Sequence, residues 1–206
     1  MKVKICGIQD RATAEYASRA GADMIGFVFA PSRRRVTVDV AKEISRGLPE
    51  SICKVGVFVN PALEEVELAI QEVGLDYVQF HGDETPAFCK QVGIPVIKAF
   101  SVQSVEDVAK AFQYDVEYYL FDSPGGKYRG GSGVPFHWGI LRELQIPREK
   151  VILAGGLTPE NVEQAIGEVG PAIVDVSSGV ETDGQKDFEK MKLFLKRAKG
   201  GNEIEI

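Results

Sequence analysis

VILAGGLTPENVEQAIGEVGPAIVDVSSG, Val151 to Gly179, holds a complete strand–helix–strand unit. Val151 to Ala154 is a short apolar run without polar alternation, the pattern of a strand covered on both faces. Gly155 and Gly156 end it. Thr158 before Pro159 reads as an N-cap with proline at the first helical position, and a helical pattern follows to Glu168. Gly170 suits the left-handed residue that closes a helix, and Ile173 to Val176 forms a second buried run. A strand that returns through a helix to a neighbour in the same sheet makes a right-handed crossover between parallel strands.

The same grammar recurs along the chain. RAGADMIGFVF (19–29), EVGLDYVQFHG (72–82) and QVGIPVIKAF (91–100) each carry a helix end, a glycine, a short link and a buried strand. Strands are expected at Val3 to Cys6, Met24 to Phe29, Lys54 to Val59, Tyr77 to Phe80, Val96 to Phe100, Tyr118 to Asp122, Val151 to Ala154 and Ile173 to Val176. Helical patterns between them cover Arg11 to Arg19, Val38 to Arg46, Ala62 to Glu72, Pro86 to Gln91 and Val105 to Phe112. Eight such strands in 206 residues reach the compact limit of a (βα)8 TIM barrel. A doubly wound open sheet is the rival, and its dinucleotide-binding form loses support because no GxGxxG follows the first strand. The expectation is a single α/β barrel domain over 1–206, with 200–206 as a frayed tail.

Composition narrows the setting. A net charge of −6 disfavours a nucleic-acid partner, and the one dense basic cluster, Arg33 to Arg35, is too short to argue for one. Three cysteines without CxxC spacing, and two histidines, fit neither a disulfide framework nor a structural zinc site. No signal-peptide pattern opens the chain and no apolar run is long enough to span a membrane. These features point to a cytoplasmic protein with neither a membrane nor a nucleic-acid partner.

In a barrel, chemistry gathers where strands end. Gly155 and Gly156 after the seventh strand, and Ser177, Ser178 and Gly179 after the eighth, offer backbone N–H groups to a phosphate or serve simply as tight turns. Asp122 ends the apolar run YYLF before the glycine-rich segment SPGGKYRGGSG, as a catalytic acid under a flap or as a loop-capping aspartate. One of Arg33, Arg34 and Arg35 could clamp a carboxylate, and periodicity does not choose among them. His81 is a polar site residue or a histidine satisfied by backbone at the rim, while His137 reads as structural. Lys4 and Asp175 alternate with the apolar wall and could point into the barrel. Cys6, at the end of the first strand, is core filling when read alone. Across a barrel mouth from Asp122 and beside a phosphate anchor, it becomes a base paired with an acid.

These strand ends resemble a known family. KICGI (4–8), GADMIGFVF (21–29), SRRRV (32–36), VGVFVN (55–60), VQFHGDE (78–84), LFDS (120–123) with GGSG (130–133), LAGGLTPENV (153–162) and VDVSSGVE (174–181) look like phosphoribosylanthranilate isomerase of tryptophan biosynthesis. The resemblance runs in order from Lys2 to about Lys199. It implies a (βα)8 barrel and an Amadori rearrangement of N-(5-phosphoribosyl)anthranilate, without metal or organic cofactor. At matching positions it implies Cys6 as general base, Asp122 as general acid and Arg35 as the anthranilate-carboxylate partner. It places phosphate at Gly155, Gly156, Ser177, Ser178 and Gly179, with His81 and Asp175 among the substrate-binding residues. Lys127 and Arg129 in the flap are departures whose contact with substrate stays open.

Two other readings remain: another sugar-phosphate isomerase on the same barrel, and an inactive phosphate-ligand binding module. Relatives of the first kind carry aspartates at both key strand ends, so Cys6 speaks against it, and the pair Cys6 and Asp122 speaks against the second. Oligomeric state is left between monomer and homodimer.

Overall fold

The structure, a computed structural model, describes residues 1–123, 138–143 and 146–201. Its elements run β1 (Lys2–Cys6), α1 (Arg11–Arg19), β2 (Met24–Val28), α2 (Val38–Ser45), β3 (Cys53–Phe58), α3 (Leu63–Val73), β4 (Tyr77–Phe80), α4 (Pro86–Cys89), β5 (Val96–Ser101) and α5 (Val105–Ala109). They continue through β6 (Tyr118–Asp122), β7 (Val151–Leu153), α6 (Val162–Val169), β8 (Ile173–Val176), the short hairpin β9 (Glu181–Thr182) and β10 (Gln185–Lys186), and α7 (Phe188–Ala198). Strands β1 to β8 pair in sequence order, all parallel, and β8 returns to β1 to close the barrel. In that closing seam Lys4 lies opposite Asp175, and on the other side of β1 Cys6 lies opposite Gly26.

The period of two along each strand sorts side chains into two shells. Outward positions such as Val3, Ile5, Ile25, Phe27, Val78, Phe80, Phe121 and Val174 meet the helices in the larger core. Inward positions form an apolar floor of Met24, Val55, Ile97, Leu120, Ile152 and Ile173. Above the floor the same inward phase delivers Lys4, Gln79, Asp122 and Asp175, all buried. Cys6, Val28, Ala30 and Val57 make a small apolar patch at the mouth. The floor excludes water from below, so the polar layer opens only toward the carboxyl ends of the strands.

All eight expected strands are present, with ends shifted by a residue at most. Helix bounds move more. The segment after β7 becomes helical at Val162 rather than Pro159, because Thr158 caps a separate turn. Its hydroxyl accepts from the Glu160 N–H, and its own N–H donates to Asn161 Oδ1. The pattern over Val105 to Phe112 divides into α5 and a 3-10 turn, Lys110–Gln113. Gly74 and Gly170 are left-handed helix caps as expected, whereas Gly93 is not among the positive-φ glycines. At the end of α7 the Gly200 and Gly201 N–H groups donate to the Arg197 and Lys196 carbonyls. The rest of the 200–206 tail, the flap with Lys127 and Arg129, and His137 lie outside the described residues.

Candidate active site

β1 and β8 bring Lys4 and Asp175 together inside the barrel, Nζ to Oδ2 at 2.8 Å. Lys4 is wholly buried, so an unpaired ammonium there would be costly; Asp175 makes it tolerable. Burial pulls the Lys4 ammonium down, but Asp175 and then Cys6 outweigh it and the net shift is upward. Gly26 on β2 leaves room for this cluster. A methyl group there would sit 2.8 Å from Cys6 Sγ and 3.3 Å from Lys4 Nζ. The thiol and the ammonium are thus neighbours across one glycine.

Cys6 is 8% exposed, and its acidity is a contest. Burial pushes the thiol up, Lys4 pulls it down, Asp175 pushes it up and Lys186 pulls it down, with a net upward shift. The positive charge expected beside Cys6 is there, yet burial prevails and the sulfur keeps its proton at neutral pH.

Asp122 ends β6 with 5% exposure. Burial first, and Asp175 second, raise its carboxyl to about 7. Such a carboxyl is half protonated at neutral pH, a suitable state for donating a proton. His81 Nε2 stands 3.6 Å from its Oδ2, and Ser123 Oγ stands 3.5 Å from its Oδ1. Gly155 permits this packing: its φ is +84°, and a side chain there would collide with the Ser123 backbone and approach Asp122 Oδ1 to 2.7 Å. Asp175 Oδ1 and Gln79 Oε1 are buried and find no donor among the described residues, so both remain open to a ligand's hydroxyl groups.

The rim sorts the three arginines. Arg34 crosses Gly7, whose φ of +80° and missing side chain let the guanidinium stem pass, and binds Glu181 through Nε and Nη2 at 2.7 and 2.9 Å. Arg33 reaches the same carboxylate at 2.7 Å. Arg35 is exposed and makes no ion pair among the described residues. Of the three it is the one whose fork is available to a ligand.

The two loops expected to hold phosphate meet each other. Gly179 packs on the Leu157 carbonyl so closely that any side chain would clash with backbone. Asn161 Nδ2 donates to the Gly156 carbonyl at 2.8 Å and fixes the loop after β7. The Ser177 hydroxyl donates to the Cys6 carbonyl at 3.0 Å and accepts from Lys186 Nζ at 3.3 Å, so its proton is committed within the protein. Ser178 and Gly179 lie in the turn Ser178–Val180, where Gly179 meets the loop after β7 at Leu157 and Thr158.

Sequence reasoning did not single out Lys186, Glu181 or the open oxygen of Gln79. Lys186 does have a local signal. TDGQ (182–185) is a hairpin turn with Asp183 and Gly184 at φ of +51° and +81°, and it folds Lys186 back over Ser177.

The closed barrel, with its titratable groups on inward positions at the carboxyl ends of β1, β4, β6 and β8, places the chain in the class of (βα)8-barrel enzymes. Within that class its family is specific. The chain belongs to the N-(5'-phosphoribosyl)anthranilate isomerase family, whose model matches residues 3–197. It is 50% identical over 200 residues to the N-(5'-phosphoribosyl)anthranilate isomerase of Bacillus mycoides strain KBAB4, covering 97% of this chain and 98% of that protein. Among solved structures, phosphoribosyl anthranilate isomerase from Thermotoga maritima superposes with a TM-score of 0.88 at 38% identity, covering 97% of this chain and 99% of that one. A phosphoribosyl anthranilate isomerase in complex with reduced 1-(o-carboxyphenylamino)-1-deoxyribulose 5-phosphate superposes with a TM-score of 0.85 at 38% identity, with the same coverage.

Proposed function

We propose that this chain isomerises N-(5'-phosphoribosyl)anthranilate to 1-(2-carboxyphenylamino)-1-deoxyribulose 5-phosphate in tryptophan biosynthesis, with Asp122 as general acid and Cys6 as general base. The observation that carries the assignment is the buried Asp122 carboxyl, raised to about 7, on an inward position of the barrel that also carries the buried Cys6 thiol on β1. Protonated Asp122 donates to the furanose ring oxygen, the ring opens and the anilinic nitrogen becomes an iminium. That cation acidifies the C2 proton, which Cys6 removes to give an enolamine; tautomerisation yields the ketone. The iminium adds positive charge that offsets the burial penalty on the thiolate, so Cys6 becomes a competent base once the ring has opened.

Arg35 holds the anthranilate carboxylate through paired N–H donors. The loops carrying Gly155, Gly156, Ser178 and Gly179 take the phosphate, with Ser177 holding the Cys6 carbonyl beside them. Asp175 Oδ1 and His81 face the ribose chain, together with Gln79. Every group named comes from one chain, so a monomer and a homodimer both suffice; a relative from Thermotoga maritima is described as dimeric. No helix among the described residues is long and apolar enough to cross a membrane, which accords with the cytoplasmic setting proposed for a biosynthetic enzyme. The test is to generate phosphoribosylanthranilate in situ and follow its fluorescence after adding the purified chain. Decay faster than the spontaneous rate is expected; decay at that rate would remove the assignment.

A further inference from the structure

Beside Cys6 lies a second charged cluster that the proton-transfer scheme does not use. Lys186 is 6% exposed at its side chain, and its ammonium is fully engaged. It donates to the Ser177 carbonyl at 2.9 Å, to Ser177 Oγ at 3.3 Å and to Glu181 Oε1 at 2.8 Å. A lysine has only donors, so Ser177 Oγ must accept from it and turn its own proton outward. That proton goes to the Cys6 carbonyl at 3.0 Å. Lys186 thereby fixes a hydroxyl that fixes the backbone of the catalytic cysteine. Glu181 in turn gathers Arg33, Arg34 and Lys186, three cations on one carboxylate. The cluster carries surplus positive charge against the mouth of the barrel.

We propose that Lys186 is a positioning residue for Cys6: it anchors the cysteine backbone through Ser177 and, held by Glu181, sets an ammonium charge that favours the thiolate. The charged groups facing the thiol are Lys4 from β1, Asp175 from β8, Arg34 from the loop after β2, and Lys186 from β10, with Asp122 on β6 in the same polar layer. Lys4 is neutralised by its partner Asp175 at 2.8 Å. Lys186 shares Glu181 with two arginines, so its charge is less completely cancelled. The inference rests on the reading of Cys6 as the base, but its test does not use turnover.

The experiment measures the pseudo-first-order rate of iodoacetamide labelling at Cys6, located by peptide mass mapping because Cys53 and Cys89 are also free thiols. The full chain is compared with Lys186→Met, Lys186→Arg and Glu181→Gln at pH 7.5. Lys186→Met should slow labelling about tenfold, the change that one unit of thiol pKa brings below its midpoint. Lys186→Arg should restore most of the rate. Glu181→Gln, which removes the neutralising anion and keeps the lysine, should speed labelling about threefold on the same grounds. Opposite signs for the two charge deletions are what a packing defect would not produce. Labelling of Lys186→Met within twofold of the parent, with the melting temperature retained, would overturn the proposal, as would two shifts of the same sign. If Lys186→Met does not fold, Lys186→Gln replaces it: slower labelling supports the role, and a rate within twofold of the parent or faster refutes it. An inactive parent protein would sink the isomerase assignment without altering these rates.

Discussion

Replacing Asp122 by asparagine should make the protein increasingly stable relative to the parent as pH rises from acid to neutral. The Asp122 carboxyl is raised from 3.8 to about 7 in the folded chain. Well below 3.8 it carries its proton both folded and unfolded, and contributes no pH-dependent difference. As pH rises from 4 toward 7, the unfolded chain releases that proton while the folded chain retains it, so folding is increasingly penalised. Above 7 the penalty levels off at about 4 kcal/mol, three units of differential protonation. Asparagine has nothing to ionise and is spared all of it. Loss of the Ser123 hydroxyl contact offsets the variant at every pH, so the prediction concerns how the difference changes with pH and not its value at one pH. The assay is urea unfolding at pH 4, 6 and 8, followed through the fluorescence of Trp138, the only tryptophan and a buried one. The stability difference, variant minus parent, should grow by about 4 kcal/mol between pH 4 and 8. Parallel stability curves for the two proteins would refute the claim that Asp122 is held protonated by its surroundings.

Three further outcomes follow from other parts of the barrel. Lys98, 1% exposed, donates to the carbonyls of Phe80, Gly82 and Ala99 and pairs with Glu84 at 3.2 Å, bolting the loop that carries His81. Lys98→Met should cost about 3 kcal/mol or more in urea unfolding, the usual penalty for leaving one partner of a buried pair alone; a loss under 1 kcal/mol would mean the bolt is idle. Arg35→Ala should raise KM about tenfold or more with kcat nearly kept, because the lost contact serves ground-state binding. An effect confined to kcat would contradict that role. Gln79→Leu removes a buried acceptor without a donor, so it should hold or raise stability while weakening substrate binding; destabilisation by more than about 1 kcal/mol would show that the oxygen already has a partner.

Much of this was legible in the sequence, for physical reasons that differ by residue. The eight strands stand out because a parallel barrel buries both faces of each, so runs such as YYLF and IVDV lack alternation. Cys6 and Asp122 stand out because strand ends are where a barrel exposes chemistry. Apart from the family resemblance, nothing in the sequence sorts Arg33, Arg34 and Arg35. Their sorting depends on Glu181, 147 residues away from Arg34, reaching the rim only once the barrel has closed. That the Ser177 hydroxyl holds the Cys6 carbonyl was not legible either, because Lys186 reaches it only through the hairpin that follows β8. Helix α7 went unassigned although Asp187 caps it and Met191, Phe194, Leu195 and Ala198 bury one face at helical spacing. A helical period was there to be read.

The central claim is that Cys6 and Asp122 share one proton-transfer reaction. Its most direct test is the turnover of phosphoribosylanthranilate at pH 7 by the parent chain, Cys6→Ser and Asp122→Asn, each shown to be folded by circular dichroism. Both variants should lose about a hundredfold or more in kcat, the scale set by losing a general acid or base. A variant that keeps turnover within a few-fold of the parent would contradict the role assigned to that residue.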